Sequence, residues 1–274
     1  MVDKYLDESE GPSGKTVWSA VSPLMASSGL RLVTPIERGD GVYLLAGDIR
    51  LSEFEVALQQ SWIDCLQRKI RGFTESGAIS TLATKCATSL NADYILYDVG
   101  PNIGPLNRII LLSCDYFIVP AACDFFSTRA LKTLGRTIAN WIQDWAIISS
   151  LAPKGVTLLP GKPRYLGYVL QRFRMYGGQL TSGHQTYARK LEKHNFSDVV
   201  AVLRELDPNL ARGTQSHFNL GQIKDFSTAA VLAQNQGKPI FDADSVAQYL
   251  KEEARSAFWK LADKLEARIT ELSR

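Results

Sequence analysis

The sequence predicts an α/β protein with a doubly wound, mostly parallel sheet and helices on both faces. Three observations carry that expectation. Strand-like apolar runs alternate with helix-like amphipathic runs along most of the chain. The apolar runs, such as "YLGYVLQRF" (Tyr165–Phe173), are nearly continuous rather than alternating, as in strands buried on both faces. The stretches between them are long enough for crossover helices. Such sheets bind ligands beyond the carboxyl ends of their strands. That directs attention to Asp98, to the residues after Pro120, and to Gln171–Arg174.

The elements follow in order. "VYLLAG" (Val42–Gly47) is a short apolar run ending in glycine. The next segment has Ser52 and Glu55 at capping-box spacing, and Phe54, Leu58, Cys65, Leu66 and Ile70 recur at helical spacing. A second helix is expected over Ser80–Leu90. "DYILYDVG" (Asp93–Gly100) reads as a fully buried strand ending at an acid. "YFIVPAA" (Tyr116–Ala122) is another strand, with Pro120 marking its end. Ser127 is expected to cap a helix through Leu131, Leu134, Ile138 and Trp141. A connection rich in Pro and Gly spans Leu151–Arg164, and Tyr165–Phe173 is a third buried strand. "RMYGGQLT" then reads as a turn or loop, because no lysine and helix follow to make it a phosphate cradle. A mixed helical segment spans His184–Leu206, and "HFNLGQI" (His217–Ile223) is one more strand. A last helix, Ser245–Leu272, aligns Ala254, Phe258, Leu261, Leu265, Ile269 and Leu272 on one stripe.

Composition narrows the class. The 274 residues are 45% hydrophobic and 22% charged, with a formal net charge of +3, which permits nucleic-acid contact without arguing for it. Cys65, Cys86, Cys114 and Cys123 form no C-x-x-C pair, and His184, His194 and His217 lack metal-ligand spacing. No G-x-S-x-G or H-E-x-x-H occurs. With no apolar signal core and no run of membrane-span length, a cytoplasmic protein with no membrane partner is expected.

"EGPSGKTVW" (Glu10–Trp18) ends as a phosphate-binding loop ends. That loop needs G-x-x-x-x-G-K-[ST] between a buried strand and a helix. Ser9 stands where the first glycine should be, and Asp7, Glu8 and Glu10 would repel a triphosphate. A polar turn followed by a helix from about Val17 explains the segment without a ligand.

"YILYDVGPNIGPLN" is the most informative stretch. An acid closing a buried strand is costly unless something needs it. In phosphate-loop proteins such an acid holds Mg²⁺ directly or through water, and the following glycines let the loop reshape around a γ-phosphate. A strand-end Asp that caps the next helix explains the same residues.

Across residues 40–245 the chain resembles the ParA group of partition ATPases, relatives of Soj and MinD. "YLLAGDIRLSEFE" is similar to the family's L-x-G-x-x-x-L-S-E-x-E segment. "DYILYDVGPNIGPLNRIILLSCDYFIVPAACDFFSTRALKTL" resembles its switch II strand, loop, next strand and helix. "YLGYVLQRFRMYGGQ" and "LGQIKDFSTAAVLAQNQGKPIFD" resemble two later blocks, in the family's order. The K-G-G-x-G-K-T loop of the family and the aspartate ending its second strand do not occur, so a chain lacking the first β-α-β unit of a deviant-Walker P-loop NTPase is expected.

The resemblance implies roles. Asp98 matches the switch II aspartate, the catalytic and metal residue that positions Mg²⁺ and the surroundings of the attacking water. Gly100 matches the position whose N–H approaches the γ-phosphate. Gln171 and Arg172 lie where the family contacts the base, and Asp225 and Phe226 in the loop covering its far side. Asp225 equally suits a cap at Ser227. The family implies ATP and Mg²⁺, a ParA-type dimer, non-specific DNA and a ParB-like stimulating partner. Arg172, Arg174, Arg189, Lys190 and Lys193, with Tyr176 and Tyr187 near, are the DNA candidates; a solvated helix face is the alternative reading. The segment Lys251–Arg274 has six basic and five acidic residues, a balance that suits core docking rather than an anionic membrane. The expectation is a ParA-type partition ATPase, inactive in this form. The alternative is a non-catalytic subunit pairing with an intact ParA-type ATPase.

Overall fold

The structure is a computed structural model that describes residues 14–39, 41–173, 175–176, 179–180 and 182–273. The chain divides into two compact units, Met1–Cys114 with Trp141–Gly161, and Asp115–Asn140 with Lys162–Arg274.

In the first unit, helix α1 (Val17–Met25) begins where expected, directly after a bend at residues 14–16; residues 10–13 of the expected turn lie outside the described residues. Thr16 is its N-cap, accepting from the Ser19 N–H at 3.2 Å. Strands β1 (Ile36–Gly39) and β2 (Val42–Leu44) pair antiparallel as a hairpin. Helices α2 (Leu51–Leu66), α3 (Ile70–Ser76), α4 (Ala78–Leu90) and α5 (Pro105–Ser113) follow. Ala20, Val33, Leu82 and Cys86 form one apolar cluster, with Val17, Leu30 and Leu45 packed against it. Asn91, in the left-handed conformation at φ 51°, closes α4, as a residue tolerant of that region does.

Two expectations fail here. The capping box at Ser52 does not form. The Ser52 hydroxyl donates to the Ile49 carbonyl at 2.9 Å, and Glu55 accepts from the Leu106 N–H at 3.4 Å instead. A tertiary donor has won over the local one. The second failure is larger. Tyr94–Gly100 is neither a strand nor buried: Leu96 is 92% exposed, and Tyr94, Ile95 and Val99 are exposed too. A strand exists only as a pair. Among the described residues no segment pairs with this one, so its β-prone sequence has nothing to complete it.

The second unit is built on three parallel strands, β3 (Tyr116–Ala122), β4 (Arg164–Gln171) and β7 (Asn219–Ile223), in the order β3-β4-β7. Tyr165–Leu170 are all buried, which is the continuous apolar run seen from inside the sheet. Pro120 lies within β3 rather than at its end, opposite Val169. An edge strand tolerates a missing donor. Tyr165 stands between Phe117 and Phe218, with ring centroids 4.9 and 5.6 Å away, and its hydroxyl donates to Asn195 Oδ1 at 2.5 Å. Strands β5 (Met175–Tyr176) and β6 (Gln179–Leu180) make a two-residue antiparallel ladder after β4.

Helix α6 (Phe125–Ser150) starts after β3. Its cap is Asp124, whose Oδ1 accepts from the Ser127 N–H at 2.7 Å, so Ser127 is not the cap. Helix α7 (Ser182–His194) runs into a π-helical turn (Asn195–Val200) and then α8 (Ala201–Leu206). Helix α9 (Thr228–Gln236) follows β7. Helix α10 (Gln248–Ser273) docks its Leu261, Leu265, Ile269 and Leu272 onto Leu166, Val169 and Leu220 of the sheet. That is the core-docking role its balanced charge suggests. Among the described residues, no helix is long and apolar enough to cross a membrane.

Candidate functional site

The carboxyl ends of the parallel strands meet in the second unit. After β3, the Cys123 N–H donates to the Gln171 carbonyl at 3.3 Å, joining the ends of β3 and β4. After β7, the Asp225 N–H donates to the Phe173 carbonyl at 3.4 Å, joining the ends of β4 and β7. Of the expected base-side residues, Gln171 is half-buried and Arg172 exposed, at a left-handed φ of 51°. Asp225 is exposed and its Oδ1 accepts from the Ser227 N–H at 2.8 Å, a turn leading into the next helix rather than a cap on it. Phe226 is a core residue. It is buried with Ala229, Ala233, Ala243, Val246 and Ala254, and Lys224 stands over its ring. Its ring face is therefore spent on packing rather than open to a base.

Beside this strand-end cluster, α6 and α7 enclose a groove of about 550 Å³. Phe125, Thr128, Arg129 and Lys132 line it from α6, and Tyr187, Lys190, Lys193 and His194 from α7. Lys190 lies 5.4 Å from the centre of the Tyr187 ring. His194 Nδ1 is 2.7 Å from Asp198 Oδ2. Among the described residues, Arg129, Lys132, Lys190 and Lys193 form no ion pair, so four cations share one groove. Sequence reasoning found the α7 half of this set. It missed Arg129 and Lys132, although their i, i+3 spacing behind Phe125 was the available signal. Of the other DNA candidates, Arg189 is exposed on α7, and Arg174 lies outside the described residues.

The first unit holds the other expected residues. Asp98 is exposed in the unpaired segment, not at the end of a buried strand. Gly100 is exposed, and its carbonyl accepts from Asn107 Nδ2 at 2.6 Å. The Thr16 hydroxyl of the phosphate-loop lookalike is buried and donates to Asp48 Oδ2 at 3.0 Å. Among the described residues no three His, Cys, Asp or Glu side chains cluster as a metal site. Asp98 is thus exposed and the Thr16 hydroxyl is engaged by Asp48, so these two residues do not by themselves form a magnesium–nucleotide site. Burial pushes the Cys65 thiol up to about 11, away from the thiolate form.

A family model described as an AAA domain matches residues 32–149, less than half of the chain. No curated protein matches. Among solved structures, the chain is similar to protein DIP2308 from Corynebacterium diphtheriae, with 22% identity and a TM-score of 0.66. The match covers 93% of this chain and 75% of that one. Together with the parallel sheet and its helices, these likenesses give the class: an α/β protein with a P-loop NTPase-like fold.

Proposed function

We propose that this chain acts in ParA-type DNA partitioning, in the cytoplasm, as a dimerising switch that holds DNA non-specifically and answers to a ParB-like partner. The observation that carries the reading is the groove between α6 and α7, where Arg129, Lys132, Lys190 and Lys193 stand with Tyr187 and no ion-pair partners among the described residues. Unpaired cations beside an aromatic are suited to phosphates and sugar, and carry no base readout. Anisotropy of a labelled 30-mer duplex tests it. Four phosphate contacts predict a log–log salt slope of roughly −3 to −4, and Lys190→Glu with Lys193→Glu should flatten it by about half. No binding at low salt, or an unchanged slope in the double variant, would sink the reading.

In the ATP-driven members of such a class, Asp98 would position Mg²⁺, Gly100 would approach the γ-phosphate, and Gln171, Arg172 and Asp225 would border the base. The chain itself supplies no lysine-bearing glycine cradle for the phosphates, which is where most electrostatic stabilisation resides. It should therefore neither bind nor hydrolyse ATP alone; micromolar ATP affinity by calorimetry would contradict this.

The exposed apolar run Tyr94–Val99 favours a second reading, a non-catalytic subunit that pairs with an intact ParA-type ATPase. Sedimentation of the two chains mixed would separate the readings, a stable heterodimer favouring the second.

A further inference from the structure

A cleft of about 300 Å³ lies in the first unit, lined by Gln59 and Trp62 of α2, Ile103 before α5, Pro105 and Arg108 of α5, and Trp141. Its volume sits at the small end of ligand pockets. Arg108 is the unusual member. Its guanidinium lies over the Trp62 ring, 3.7 Å from the centroid. Its Nε is buried and has no hydrogen-bond partner. Among the described residues the side chain makes no ion pair. Burial pulls its pKa down, and Asp144 acts on it only from a distance. A partly desolvated cation without a counter-ion is expensive, and the Trp62 face offsets only part of that cost.

We propose that this cleft is a binding site for a small organic monoanion that carries a flat apolar body and one carboxylate. Arg108 answers the carboxylate, as guanidinium does best. Trp62, Trp141, Ile103 and Pro105 provide apolar walls for the body, and the Gln59 amide is a further donor. A dianion such as phosphate suits the cleft less well. Among the described residues, Arg108 is the one charged side chain lining the cleft, and most of its other walls are apolar, so a second negative charge would go unanswered. The proposal does not depend on the partitioning reading.

The experiment titrates the full chain with benzoate, with its neutral isostere benzamide, and with inorganic phosphate, followed by calorimetry and by the indole N–H resonances of Trp62 and Trp141. Benzoate should bind saturably and shift both indoles, and benzamide and phosphate should each bind at least about tenfold more weakly. Arg108→Met should abolish benzoate binding. Because that residue is partly buried, a second variant guards against misfolding. Ile103→Asp places an acid at an exposed position on the cleft rim, where it competes for Arg108 and repels a carboxylate. It should weaken benzoate by roughly tenfold or more while leaving the far-UV circular dichroism unchanged. No saturable benzoate binding, equal binding of benzamide, or benzoate affinity unchanged in Ile103→Asp would each overturn the proposal.

Discussion

Replacing Gly135 by alanine sets helix propensity against packing, and the two predict opposite signs. Gly135 lies inside α6, where alanine is worth about 1 kcal/mol more than glycine. Judged as an isolated helix, the substitution stabilises. In the fold, a Cβ on Gly135 would fall 2.0 Å from the Asp198 carbonyl oxygen and 2.7 Å from Val199 Cα. Comfortable non-bonded separations are near 3.5 Å, so one backbone must give way by more than about 1 Å. Both atoms belong to the π-helical turn, and no side chain can swing aside. Overpacking of this kind costs about 1–3 kcal/mol, and a clash with backbone belongs at the upper end. The net expectation is a loss of about 2 kcal/mol, or a fall in Tm of roughly 4–8 °C for a chain of this size. Gly183→Ala is the control. It lies early in α7 and its Cβ would meet nothing within 4 Å, so it should gain a few tenths of a kcal/mol. Urea and thermal unfolding followed by circular dichroism measure both. If Gly135→Ala proves as stable as the parent or more so, the close approach of α6 and the π-turn is wrong.

Two other outcomes follow from the second unit. Tyr165→Phe keeps the aromatic stack with Phe117 and Phe218 but leaves the buried Asn195 Oδ1 without its donor; it should cost about 1–3 kcal/mol in urea unfolding, and a neutral result would mean that water reaches Asn195. The Asn209 backbone N–H, with Lys162 beside it, holds the Asp207 carboxyl below its usual value. Its folded pKa is depressed, so its contribution is complete above the unfolded value near 4 and is lost as pH falls through the folded one. Asp207→Asn should therefore destabilise at pH 7 and converge with the parent at low pH; a penalty independent of pH would show that the carboxylate charge is not involved.

How much was legible in the sequence differs from element to element. The run Tyr165–Leu170 announced a strand buried on both faces, and it is one. Its continuous apolarity reports an environment that only an interior sheet position provides. The C-terminal part of the stripe on the last helix, Leu261 to Leu272, was equally readable, because a period near 3.6 specifies a face, whereas Phe258 of the same stripe is exposed. The run Tyr94–Val99 carries the same kind of signal as Tyr165–Leu170, yet it is exposed and unpaired. Strand propensity describes half of a hydrogen-bonded pair, and the other half is not in the segment. The caps went astray for a related reason. Ser52 with Glu55, and Ser127, have the right spacing, but Glu55 found a tertiary donor and Asp124 was better placed for α6.

The candidate sites divide in the same way. The sequence by itself determined the α/β class, the order of the later strands and the positive charge on α7, because periodicity and charge are local properties of the chain. Only the tertiary structure decided that Arg129 and Lys132 face Lys190 and Lys193 across one groove, that the Phe226 ring belongs to the core, and that Arg108 lies against Trp62 without a counter-ion. Each of those facts is a juxtaposition of residues distant along the chain. Such contacts are set by which surfaces pack and which backbone groups find partners, and no local pattern encodes them.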